Sequence, residues 1–188
     1  MRSAQILSLA VLTSVLAVSP ADAQDRKTFG ITMAYPASVG ALLRVGENLA
    51  IRPEVSLTGS TSETTSSTFE TESDAWTLNT GVSVLIYLKK YDDLRTYVTP
   101  RFTYAHGSST TDANGLVTNP TATTTLNAYG FAGSFGGEYS LGRKFGVFGE
   151  VGFGFSHQTT KSSLLPTELS GTSWGSRAGV GIIFYPGS

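Results

Sequence analysis

The sequence has no cysteine, so neither a disulfide framework nor thiolate chemistry is open to it. Charge is scarce: Asp, Glu, Lys and Arg make up 14% of the 188 residues, against roughly a quarter in an ordinary soluble domain. The formal net charge of -1 gives no electrostatic reason to expect nucleic acid as a partner. Methionine is also rare, with two residues beside 21 glycines, 10 phenylalanines and 8 tyrosines, which argues against a helical bundle. Beyond the N-terminus the most apolar run is "VSVLIYL" at 82–88, far short of the roughly 20 residues a spanning helix needs. The N-terminus itself reads as a leader: Arg2, an apolar run from Ile6 to Val18, then Ala21-Asp22-Ala23, the small-x-small pattern of a signal-peptidase site. Residues 1–23 are therefore expected to be a cleaved signal peptide, and 24–188 a single domain.

That domain is patterned with period 2. In "FGVFGEVGFGFS" the odd positions are Phe145, Val147, Gly149, Val151, Phe153 and Phe155, and the even ones include Gly146, Glu150, Gly152 and Gly154. Such alternation marks a strand with two unlike faces. The same reading applies near 28–35, 39–45, 51–58, 76–88, 95–106, 127–140 and 174–185, which makes eight strands. Leu42 and Leu85 break the alternation, and Pro53 and Pro100 each delete a ladder donor, so bulges or local breaks are expected there. The connections alternate in length. Short turns fall at 46–48, 89–93 and 141–144, and long Ser/Thr-rich loops are expected at 60–73, 108–124 and 159–169, with a short one at 36–38. This is the rhythm of an up-and-down meander with two unlike ends.

Eight alternating strands fit a soluble barrel with its apolar face inside or a transmembrane barrel with that face outside. The charges discriminate. Arg44, Arg52, Glu54, Arg101, Glu138, Glu150 and Arg177 all fall on the glycine-rich face, and no charge in the strand cores falls on the apolar one. A face of Gly, Ser and Thr with so few charges is a poor exterior for a soluble protein, whereas a lipid-facing wall needs only that charges avoid it. The expected fold is an all-β, eight-stranded antiparallel up-and-down transmembrane barrel with a polar lumen filled by side chains. Four arginines and three glutamates shut in that lumen should pair, since arginine offers forked donors and glutamate two acceptor oxygens. Tyr35, Trp76, Tyr104, Tyr129, Phe155 and Trp174 would form a girdle at the long-loop end, and Leu88, Tyr91, Tyr139, Phe145, Phe184 and Tyr185 one at the short-turn end.

On this pattern the chain resembles the small outer-membrane β-barrel proteins of Gram-negative bacteria: the OmpA transmembrane domain, OmpX and the opacity-type surface proteins. Such proteins end in a strand read by the barrel-assembly machinery as polar-x-Gly-x-x-apolar-x-aromatic, and Arg177, Gly179, Ile182 and Phe184 match it. The chain departs from them by continuing to Ser188. The resemblance implies a monomer in the Gram-negative outer membrane, in contact with outer-membrane lipid and lipopolysaccharide. It would have no cofactor and no catalytic role, and would act through its exposed loops in adhesion, host or matrix contact, or envelope integrity. Two alternatives belong to other classes. One is a small ion-conducting pore. The other is a lipid A-modifying enzyme, for which His106-Gly107-Ser108 would supply a His-x-Ser pair and Asp112 the acid nearest in sequence. The acidic stretch Glu63, Glu70, Glu72 and Asp74 could bridge divalent cations to lipopolysaccharide phosphates, although an idle solvated loop has the same composition.

Overall fold

The alternating segments fold as strands throughout. The computed structural model describes residues 28–65, 70–114, 121–164 and 168–187; the leader at 1–23 lies outside the described residues, as do the tips of the three long connections. The strands are β1 (Phe29–Tyr35), β2 (Ser38–Arg44), β3 (Leu49–Thr65), β4 (Glu70–Tyr91), β5 (Leu94–Asn114), β6 (Thr121–Ser140), β7 (Phe145–Ser162) and β8 (Glu168–Phe184). Each pairs antiparallel with the next, and β8 returns to β1, closing a barrel. Closure leaves no sheet edge at the paired depth, which is what hydrocarbon demands of a backbone.

The apolar face points outward. Phe131, Val151 and Ile182 are exposed. One row of paired residues runs Val82, Phe102, Phe131, Phe155, Trp174 across β4 to β8, with the Phe102 and Phe131 rings 5.0 Å apart. The opposite parity is buried and holds Arg52, Glu54, Glu138 and Glu150. This is a transmembrane β-barrel with a filled lumen.

Two expectations need correcting, and the one for the prolines is narrowed. The long loops are mostly strand: β3 and β4 stay paired from Leu49–Ile86 out to Thr65–Glu70, and β5 and β6 out to Asp112–Thr121. Apolar alternation stops there because water lies on both sides, but Thr, branched at Cβ, still favours extended backbone. The prolines cause breaks without bulges. Pro53 pairs with Val82 and Pro100 with Gly133 in unchanged register, while on their other sides the pairing skips from Gly40–Glu54 to Leu43–Ile51 and from Ser83–Arg101 to Ile86–Val98. Among the described residues the one register shift lies at Leu88, between Tyr87 and Lys89. Finally, two girdle assignments fail: Tyr35 pairs with Val180, six residues along β8 from Trp174 and so well below the outer girdle, and Tyr185 is not in the lower one. Its N–H donates to the Lys144 carbonyl, which carries the pairing one residue past Phe184 and turns the ring inward to 1% exposure.

Candidate functional site

The lumen contains two ionic clusters, one above the other. In the lower, Arg44 of β2 donates through Nη2 to Oε1 of Glu138 on β6 at 2.5 Å. The Tyr185 hydroxyl donates to the same oxygen at 2.6 Å and the Tyr87 hydroxyl to Oε2 at 2.7 Å. The Arg44 guanidinium lies 5.2 Å over the Tyr87 ring and 5.8 Å over Tyr185. Below this cluster the barrel opens, among the short turns, into a cavity of about 780 Å³ whose lining carries both signs of charge, including Lys90, Arg95, Asp92 and Asp93.

In the upper cluster Arg52 of β3 donates through Nη2 to Glu150 Oε1 at 2.6 Å, and the Tyr97 hydroxyl donates to that oxygen at 2.9 Å. Arg52 Nε is 3.5 Å from Glu54 Oε1, and Arg101 Nη1 is 2.9 Å from Glu54 Oε2. The Arg101–Glu54 contact is an ion pair by distance only, since Glu54 Oε2 has no hydrogen bond of good angle. The Arg52 guanidinium covers the Phe148 ring at 4.6 Å. Six of the seven lumen charges thus fall into two groups. Arg177, inward on β8, joins no ion pair among the described residues.

Side chains this long need space, and two glycines supply it. A Cβ on Gly136 would sit 2.7 Å from the Tyr97 ring, and one on Gly181 2.5 Å from the Phe148 ring. The remaining volume is filled by apolar and small polar side chains: Leu42, Leu85 and Ile183, with Thr32, Ser83 and Thr99, are buried with the charges. The clusters do not stabilise the barrel by ion pairing alone, because desolvation offsets much of the Coulomb gain. Their consequence is that neither partner can be removed cheaply, and that the bore is occupied.

Reading charges alone overlooks the three tyrosines that complete the shells of Glu138 and Glu150. Their signal is in the spacing: Tyr87 and Tyr97 share parity with the small polar face, where an aromatic with a hydroxyl is out of place unless it bonds inward.

The other candidates are not assembled into sites. His106 Nδ1 is 2.8 Å from Asn127 Oδ1, to which the Tyr104 hydroxyl also donates. Asp112 is engaged by the Thr121 hydroxyl at 2.5 Å, so the histidine is oriented by an amide and not by that acid. Glu63 pairs across from Glu72, and Glu72 from Asp112, yet among the described residues no group of three or more acids or histidines is arranged to hold a metal. In the candidate assembly signal Arg177 and Gly179 share the inward parity of β8, and Ile182 and Phe184 the outward one.

No family model matches the chain, and no curated protein matches its sequence. Solved structures do. A major outer membrane protein from Thermus thermophilus superposes with a TM-score of 0.55 at 11% identity, over 83% of this chain and 97% of that one. The chain has the fold of the small outer-membrane β-barrels. Acinetobacter baumannii CarO2 (TM-score 0.44, 12% identity, 84% of this chain and 97% of that one) and Neisserial surface protein A (TM-score 0.42, 13% identity, 84% and 92%) are also similar. At these identities the likeness is one of architecture. On that fold this chain carries a two-tier lumen and Arg177, which is outside both tiers.

Proposed function

We propose that the protein is a monomeric barrel of the Gram-negative outer membrane, exported by residues 1–23 and closed to ions by its arginine–glutamate clusters. The observation that carries this reading is the sorting of charge: every ionised side chain at the depth of the apolar band points into the bore, and the wall around it is Phe, Val, Leu and Ile. An inward charge with a partner is tolerated in a barrel, while the same charge on the lipid face costs about 2–4 kcal/mol at the midplane. The fold shared with outer-membrane proteins supports the location. Its surface function belongs to the hairpins beyond the outer girdle, in adhesion, host or matrix contact, or envelope integrity against lipopolysaccharide. Insertion would use the barrel-assembly machinery through Arg177, Gly179, Ile182 and Phe184.

The test is gel mobility of the detergent-folded chain, heated against unheated, joined to planar-bilayer recording. A heat-dependent shift together with electrical silence is expected. A chain that stays monomeric without amphiphile would refute the membrane location, and steady ion-selective steps would refute the sealed bore.

A further inference from the structure

β1 and β2 stop early. Their outermost pairings to the neighbours are Tyr35–Val180 and Val39–Val55, yet β8 begins at Glu168 and β3 continues to Thr65. Trp174, in the outer girdle, stands six residues up β8 from Val180, about 15 Å along the membrane normal at a barrel's usual strand tilt. Above the turn at Pro36 the wall therefore has a gap two strands wide, at the depth of outer-leaflet acyl chains. One lip is β3 from Ser56 upward, which has no β2 partner; the other is β8 up to Gly179, which has no β1 partner. Backbone left unpaired at this depth is costly unless polar atoms reach it.

The two sides of the gap differ in chemistry. Outside, its rim carries large exposed apolar side chains, Tyr35, Leu57, Trp174 and Val180, with Ser176 and Ala178 between the last two. Inside, at the same level, are Arg177 and Arg101. Arg101 shares Glu54 with Arg52, and the Arg101 and Arg177 guanidinium groups repel one another. Four arginines against three glutamates leave one cation in surplus, and Arg177 is the one in no ion pair among the described residues. Beside it, a Cβ on Gly175 would meet nothing within 4 Å, so there is room next to the charge.

We propose that this gap is a lateral portal at which a phosphate-headed lipid of the outer leaflet seats its headgroup on Arg177, leaving its acyl chains outside along Leu57, Val180 and Trp174. Phosphate oxygens would also accept from the free N–H groups of both lips. A soluble anion would gain nothing from the apolar rim, and a zwitterionic headgroup would offer the surplus cation less charge. The proposal rests on the membrane location argued above.

The experiment uses Trp174 as its own reporter, since Trp76→Phe leaves it the only tryptophan. The chain is refolded into phosphatidylcholine vesicles carrying brominated-acyl phosphatidylglycerol or, in parallel, brominated-acyl phosphatidylcholine. Trp174 should be half-quenched at about a tenfold lower mole fraction of the anionic lipid, the size of one charge-assisted contact. Arg177→Lys should keep the preference, Arg177→Gln should abolish it, and inorganic phosphate should not displace the lipid. Equal quenching by both headgroups, a preference unchanged in Arg177→Gln, or displacement by inorganic phosphate would each overturn the portal. A heat-modifiable barrel without headgroup preference refutes the portal alone, whereas a chain monomeric without amphiphile refutes the membrane location as well.

Discussion

Strands β3 to β7 obey one rule below the outer girdle and another above it. Below, the large outward side chains are apolar, and the inward ones are mostly glycine, small polar residues or members of an ionic cluster, with Leu85 and Phe148 packed among them. Above, both faces are mostly polar, with Ser and Thr foremost, and the ladder is joined by small cross-strand bonds such as Ser73–Thr111 at 2.7 Å and Thr61–Asp74 at 2.7 Å. The backbone is the same in both regions. Alternation therefore records a contrast between two solvents, and strand formation outlasts it.

The comparison can be broken most severely in the bore. Glu150→Leu strands Arg52 with Glu54 alone at 3.5 Å, and a loss of about 3–5 kcal/mol in urea unfolding from lipid vesicles is expected. The paired change Arg52→Met with Glu150→Leu should recover most of it. An equal loss from both would show that packing, and not the uncompensated charge, is responsible.

Next comes the wall. Val151→Arg, on the outward face of β7, is expected to cost about 2–4 kcal/mol in the same assay. Thr110→Arg, on the outer part of β5, should stay within about 0.5 kcal/mol. Similar costs at the two sites would mean that the wall does not face hydrocarbon. A smaller effect, about 1–3 kcal/mol, should follow Gly136→Ala, whose new methyl meets the Tyr97 ring; the double variant with Tyr97→Phe keeps the clash and should not relieve it. The smallest belongs to the exposed Lys161–Glu168 pair, 3.0 Å apart. Lys161→Ala should change stability by about 0.5 kcal/mol, and a larger value would make the outer hairpins part of the cooperative unit.

The architecture was legible wherever the solvent contrast is strong. Strand order, the outward aromatic row and the inward parity of Glu138 and Glu150 follow from spacing alone. Pairing was not legible. Arg44 and Glu138 are 94 positions apart, and only the stagger of the closed ring brings β2 over β6. The outer strands went unseen because Ser and Thr read alike as loop and as doubly wetted strand. Tyr185 was misplaced because an aromatic at a strand end was counted to the girdle, although its odd position gives it the inward parity of Arg177 and Gly179. The irregularity at Leu88 has no marker in its own sequence, whereas the two prolines that draw attention keep register.

The joint that completes the ring is short. β8 meets β1 only between Ile31–Phe184 and Tyr35–Val180, while β3 and β4 are laced from Leu49–Ile86 to Thr65–Glu70. Because β8 is made after the other seven strands, no cylinder can exist until the C-terminal stretch arrives. A nascent chain cut before Val180 would be a curled sheet with two raw borders. In the finished molecule this latch is the place where a pull on the C-terminus should unfasten it first.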